Sequence, residues 1–121
     1  MREKKTIHQE HEIGCGIACV AMLGGVTYEE ARQILFPKSG VRLTSSGKLF
    51  TALKRFGRKP AGDRMISLKF IDFDHLTHVC LVGALLDKEK HWVVWDSAAR
   101  KIRDPYRGDY QLRVVKYMPI K

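Results

Sequence analysis

The chain has 121 residues, of which 45% are hydrophobic and 29% charged, a balance that excludes a disordered polymer and fits one domain over 1–121 rather than two cores. Its 22 Lys and Arg against 13 Asp and Glu give a net charge of +9. The cations run from Arg2 to Lys121 without gathering into one block, so they read as a solvated basic surface and no nucleic-acid partner is expected.

No run nears the roughly 18 apolar residues that span a bilayer, so no membrane segment is expected. The opening MREKKTIHQEHE has no apolar core after its basic start. No secretory signal is read there, and a cytoplasmic location is expected. Three cysteines are an odd count, which excludes a complete disulfide framework and fits free thiols in a reducing compartment.

Residues 13–23 read IGCGIACVAML, apolar on every side, and Gly24-Gly25 then stops the run. A helix apolar all round must be buried, which predicts a central core helix with Cys15 in its first turn. Thr27 followed by Glu30 is a capping-box pattern that opens a short helix ending before Pro37. A third helix is predicted over Ser46–Phe56, with Leu49, Phe50, Leu53 and Phe56 on one face and Gly57 as its stop. Short strands follow at Met65–Phe70, His78–Leu86, His91–Trp95, Arg100–Arg103 and Leu112–Met118, with Asp87–Lys90 as a polar hairpin turn. Helices first and antiparallel strands after them make an α+β domain, its N-terminal helices packed on a C-terminal antiparallel sheet.

A cysteine nucleophile reacts as its thiolate, so something must stabilise the anion. Cys15 stands at a predicted helix start, where unpaired N–H groups and the positive end of the dipole favour negative charge. Gly14 and Gly16 flank it, leaving the sulfur accessible and letting a substrate backbone approach. His91 opens the segment HWVVWD after the polar turn, and Asp104 follows in IRDP at the end of the next strand. Nucleophile, base and orienting carboxylate are thereby all present. Gln9 lies six residues before Cys15, and its amide is a candidate oxyanion donor beside the Cys15 N–H.

Taken in order, Q-x5-C-G-x-A-C-x-A-M, H-W-V-V and D-P-x-x-G resemble the bacteriocin-processing cysteine peptidases, papain-like enzymes that cut leader peptides after a double glycine. The middle segment LTSSGKLFTALKRFG looks like that family's second helical region, so the similarity extends over most of the chain. The resemblance implies a papain-like fold, with Gln9 as oxyanion residue, Cys15 as nucleophile, His91 as base and Asp104 as its partner. It also implies a peptide or protein substrate and no cofactor. Two departures stand out: Gly14 occupies the place of the acidic residue that usually precedes the nucleophile, and no membrane or ATPase portion is expected beside the domain. A role in leader removal during export therefore does not carry over, and a peptidase, an amidase or deamidase, or a degenerate domain that binds peptides without cutting them all remain open.

The other thiols read differently. Cys19, one turn further into the core helix, and Cys80 in HVCLVGA are expected to be packing residues. His8, His11, Cys15 and Cys19 have a spacing that suggests a zinc site only if Cys15 leaves the catalytic role, so no metal is expected. His75 and His78 read as the solvent end of a strand. Trp92, Trp95, Tyr106 and Tyr110 lie near His91 and Asp104 in sequence; most are expected to pack, and Trp92 is the candidate for walling a peptide cleft.

Overall fold

A computed structural model describes residues 5–11, 13–38, 40–67, 76–106 and 111–121. Among them are three helices, α1 (Cys15–Gly24), α2 (Tyr28–Leu35) and α3 (Ser46–Arg55), and five strands, β1 (Ile66–Ser67), β2 (Cys80–Leu86), β3 (Glu89–Asp96), β4 (Lys101–Arg103) and β5 (Leu112–Pro119). The strands form one antiparallel sheet in the order β1-β5-β2-β3-β4. The α+β architecture is thus as the sequence pattern predicts.

Local chemistry explains the helix ends. Every residue of α1 from Cys15 to Leu23 is buried, as its all-round apolar character demands. It stops where Gly25 takes φ +70° and donates its N–H to the Ala21 carbonyl, a left-handed conformation that glycine adopts without a Cβ penalty. Thr27 caps α2 by accepting from the Glu30 N–H at 3.1 Å. Ser45 caps α3 by accepting from the Lys48 N–H at 3.3 Å.

The two faces of β3 go to different clusters. Trp92 and Val94 join the main core with Leu81, Met118 and all three helices, whereas Val93 and Trp95 pack with Cys80, Val82 and Tyr117 on the other face. This follows from the period-2 alternation of a strand. Several edges differ from the sequence expectation. Leu86 pairs with Glu89, so the hairpin turn is only Asp87-Lys88, with Asp87 at φ +56°. Asp tolerates that left-handed conformation better than most residues, and the strand consequently begins two residues before His91. Arg100 takes φ +57° in the turn before β4, and His78 is exposed ahead of β2. Of the strand expected at 65–70, residues 68–70 lie outside the described residues.

Asp96 holds the β3–β4 corner. It is 2% exposed; one oxygen accepts the N–H groups of Ala98 and Ala99 at 3.1 and 3.2 Å, and the other accepts from Arg103 Nε at 3.2 Å. Because Arg103 immediately precedes Asp104, this buried pair fixes where Asp104 emerges from β4. Removing one partner of such a pair leaves an uncompensated charge, so Asp96→Ala is expected to lower the unfolding free energy by about 3–5 kcal/mol. Urea denaturation followed by tryptophan fluorescence checks this, and a loss under about 1 kcal/mol, the scale of an exposed ion pair, would count against the corner's dependence on Asp96.

Candidate active site

The imidazole of His91 lies between two partners delivered by different parts of the fold. Its Nε2 is 2.7 Å from Asp104 Oδ1, and Cys15 is near enough to influence its charge. His91 is the third residue of β3 and sits opposite Ala84 of β2, not at the strand mouth. Asp104 follows the last residue of β4. The same Asp104 oxygen accepts the Tyr106 N–H at 2.9 Å, so the carboxylate is held by its own corner before it meets the imidazole. Pro105, buried between them, gives its carbonyl to the Gln9 N–H at 3.0 Å and to His8 Nδ1 at 3.3 Å. The N-terminal segment is thereby tied to the corner that carries Asp104.

Burial of His91 opposes its charge, but the Asp104 and Cys15 hydrogen bonds and their negative charge outweigh that effect and push its pKa from 6.5 up to about 9. At neutral pH the ring is therefore an imidazolium. Both of its nitrogens are donors in that state: Nε2–H serves Asp104, which leaves Nδ1–H for the sulfur.

Cys15 is the first residue of α1, with Gly14 as its N-cap. No side chain caps this end and no acidic residue lies in the first turn, so neither offsets the positive end of the dipole beside the sulfur. Cys19, one turn on, is fully buried; burial and then the negative charges of Cys15 and Asp104 push its thiol pKa well upward. Burial pushes Cys80 up to about 12, and its thiol donates to the His78 carbonyl at 3.3 Å. The three thiols thus occupy chemically different places.

The glycines beside Cys15 are crowded by the protein itself. A Cβ at Gly14 would meet the Tyr28 hydroxyl, and one at Gly16 the Thr44 hydroxyl, so the room at both positions is taken by neighbouring side chains. Tyr28 and His11 share a hydrogen bond of 2.8 Å and stack. The His11 carbonyl accepts the Gly14 N–H at 3.0 Å and Gln9 Nε2 at 3.1 Å. This knot shapes the turn that leads into Cys15. Sequence reading missed Tyr28 and Thr44, for which the only local signal is the pair of glycines that make room for them.

Cys15, His91 and Gln9 open onto one cleft of about 510 Å³, walled by the 86–90 hairpin on one side and by Ile13, Leu43 and Tyr106 elsewhere. Tyr106 presents its edge to the His91 ring at 6.3 Å between centroids. Trp92 is buried in the main core, and its indole N–H donates to the Thr44 carbonyl at 3.0 Å; it borders a second, smaller pocket beside His91. Trp95 lies in the opposite-face cluster. His8, His11 and Cys15 each engage a different partner, and among the described residues no three His, Cys, Asp or Glu side chains form a group that could hold a metal ion. His75 and Tyr110 lie outside the described residues.

Among the described residues no helix is long and apolar enough to cross a membrane. Comparison with protein-family models and with curated proteins returned no match for the chain.

The raised pKa of His91 has a thermodynamic consequence. A folded value of about 9 against 6.5 contributes stability that is fully present below pH 6.5 and is lost as pH rises through about 9. The difference in unfolding free energy between the wild type and His91→Gln should therefore shrink between those limits. Urea titrations at several pH values measure it, and a difference that stays constant across the window would contradict the charged, partnered imidazole.

Proposed function

We propose that the protein is a cysteine hydrolase of peptide bonds, of papain-like fold. The observation that carries this reading is His91, whose Nε2 lies 2.7 Å from Asp104 Oδ1 and which lines one cleft with Cys15. Nucleophile, base and orienter must meet in this way, and the three residues come from a helix N-terminus, a central strand and the end of an edge strand. The resemblance of the ordered motifs to bacteriocin-processing peptidases supports the same assignment.

In the proposed cycle the Cys15 sulfur adds to the carbonyl carbon of a peptide bond lying in the cleft. Negative charge moves to the carbonyl oxygen, where the Cys15 N–H at the helix start and a Gln9 amide N–H stabilise it. The His91 imidazolium gives its Nδ1 proton to the leaving amine, the C–N bond breaks, and a thioester remains on Cys15. Neutral His91 then takes a proton from water as the water attacks the thioester. The acid product leaves and the sulfur is restored as nucleophile. Asp104 keeps the ring oriented and stabilises its charge throughout.

Incubation with a diverse peptide library, read by mass spectrometry, tests the reading. Internal cleavage that disappears in Cys15→Ala supports it. Side-chain deamidation without backbone cleavage would redirect it to an amidase, and binding without any conversion would redirect it to a peptide receptor. On a cleaved peptide, Asp104→Asn should lower kcat by about 10³–10⁴-fold with the fold retained. Gln9→Ala should lower kcat by about 10²–10³-fold with little change in KM. An unchanged kcat in either variant would remove that residue from the mechanism.

A further inference from the structure

The turn that leads into Cys15 leans on one side chain from outside it. Tyr28 is the first residue of α2 and is 5% exposed, and its hydroxyl reaches that turn. The oxygen lies 2.8 Å from His11 Nδ1, and the two rings stack at 5.8 Å between centroids. The same oxygen occupies the place that a Cβ on Gly14 would take. A phenol brought from the next helix therefore stands where the side chain before Cys15 would stand. Gly14 has φ −91°, on the side that L-residues adopt, so this position asks glycine for room rather than for a left-handed conformation.

The backbone of His11 gives that contact its reach. Its carbonyl accepts two hydrogen bonds, from the Gly14 N–H at 3.0 Å and from Gln9 Nε2 at 3.1 Å. The first closes the turn immediately before Cys15, and so governs where the Cys15 N–H points. The second orients the Gln9 amide, whose nitrogen carries two N–H groups; one serves His11, and the proposed mechanism uses the other. Both oxyanion donors thus depend on one carbonyl, which belongs to an exposed loop residue. Such a residue needs an anchor to hold a single conformation. Tyr28 lies in the main core, at the Thr27-capped start of its helix, and it is placed to be that anchor. Burial pushes its pKa above the ordinary 10, so the hydroxyl keeps its proton. It donates to Nδ1 when the His11 ring is neutral and accepts from Nδ1–H when the ring is charged, so the contact holds in both states.

We propose that Tyr28 is a positioning residue for the oxyanion site. Its hydroxyl holds His11, and through the His11 carbonyl it fixes the Gln9 amide and the Cys15 N–H. The proposal rests on the hydrolase reading of the Cys15 cleft, and it gives a role to a residue that does not line that cleft. Oxyanion donors act where charge develops on the substrate oxygen. Loosening them lowers kcat and leaves KM and the reactivity of the sulfur itself unchanged.

Two reagents separate this role from plain packing. Iodoacetamide needs only the Cys15 thiolate. With the aldehyde acetyl-glycyl-glycinal the same sulfur forms an S–C bond, the carbonyl electron pair moves to oxygen, and that oxygen needs the donors. Tyr28→Phe keeps the stacked ring and removes the hydroxyl. It should weaken the aldehyde about tenfold, the scale of one lost neutral hydrogen bond, as read by protection of Cys15 from alkylation. On a cleaved peptide kcat should fall by the same factor with KM unchanged. Alkylation by iodoacetamide at about pH 6 should stay within about twofold of wild type. In a Gln9→Ala background the loss from Tyr28→Phe should shrink, because residues that act through one another are not additive. If Tyr28→Phe does not fold, exposed His11 carries the test: His11→Phe should reproduce the loss, and His11→Asn, whose amide can replace Nδ1, should restore it. A folded Tyr28→Phe that binds the aldehyde and turns over peptide as wild type does would overturn the proposal. Equal slowing of both reagents, or full additivity with Gln9→Ala, would also overturn it, and each of these outcomes leaves the hydrolase reading intact. A wild-type Cys15 that iodoacetamide alkylates but that binds no aldehyde and cleaves no peptide would overturn both.

Discussion

A charged imidazole in a nearly dry position is the constraint on which the rest of this structure turns. Burial alone would drive His91 to its neutral form; Asp104 and Cys15 reverse that tendency and carry its pKa to about 9. The arrangement is therefore conditional: the Asp104 carboxylate at 2.7 Å supplies the opposite charge that the buried ring needs. In return, the imidazolium offers the Cys15 sulfur a proton donor and a counter-charge at the uncapped N-terminus of α1.

Much of the surrounding architecture can be understood as holding those three groups in register. Asp96 and Arg103 lock the corner that delivers Asp104. The Tyr106 N–H fixes the carboxylate oxygen that also faces His91. The N-terminal segment returns to the same corner through the Gln9 N–H and the Pro105 carbonyl, which brings Gln9 to the cleft. Tyr28, the first residue of α2, and Thr44, two residues before α3, fill the space left by Gly14 and Gly16 on either side of Cys15 in the chain. The site is assembled from long-range contacts, with hydrophobic burial of α1 against β3 as the common foundation.

What could be read from the sequence was what local chemistry controls. The buried helix from Cys15, the Thr27 cap, the amphipathic face of α3 and the period-2 pattern of β3 are all visible in neighbouring residues. Cys15, His91 and Asp104 could be singled out because their residue types stand at element boundaries, and the structure brings all three together. The expected hairpin turn was too long because a left-handed Asp87 leaves no mark beyond the residue type. Asp96 escaped notice because it looks like an ordinary strand end; its importance depends on Arg103 folding back to it. The bulge at Val115, the Tyr28–His11 contact and the pocket beside His91 are likewise products of strand pairing and packing across the chain.

The central claim is that Cys15 is the activated thiol, and its most direct test is competition among the three cysteines for limiting iodoacetamide at about pH 6, where ordinary thiols near pKa 8.5 react slowly. Peptide mapping by mass spectrometry should find the label on Cys15, which is buried but borders the cleft, ahead of Cys19 and Cys80, which hold their protons strongly. That preference should vanish in His91→Ala. Label spread evenly over the three thiols, or concentrated on Cys19, would contradict the assignment of Cys15 as nucleophile and the hydrolase built on it.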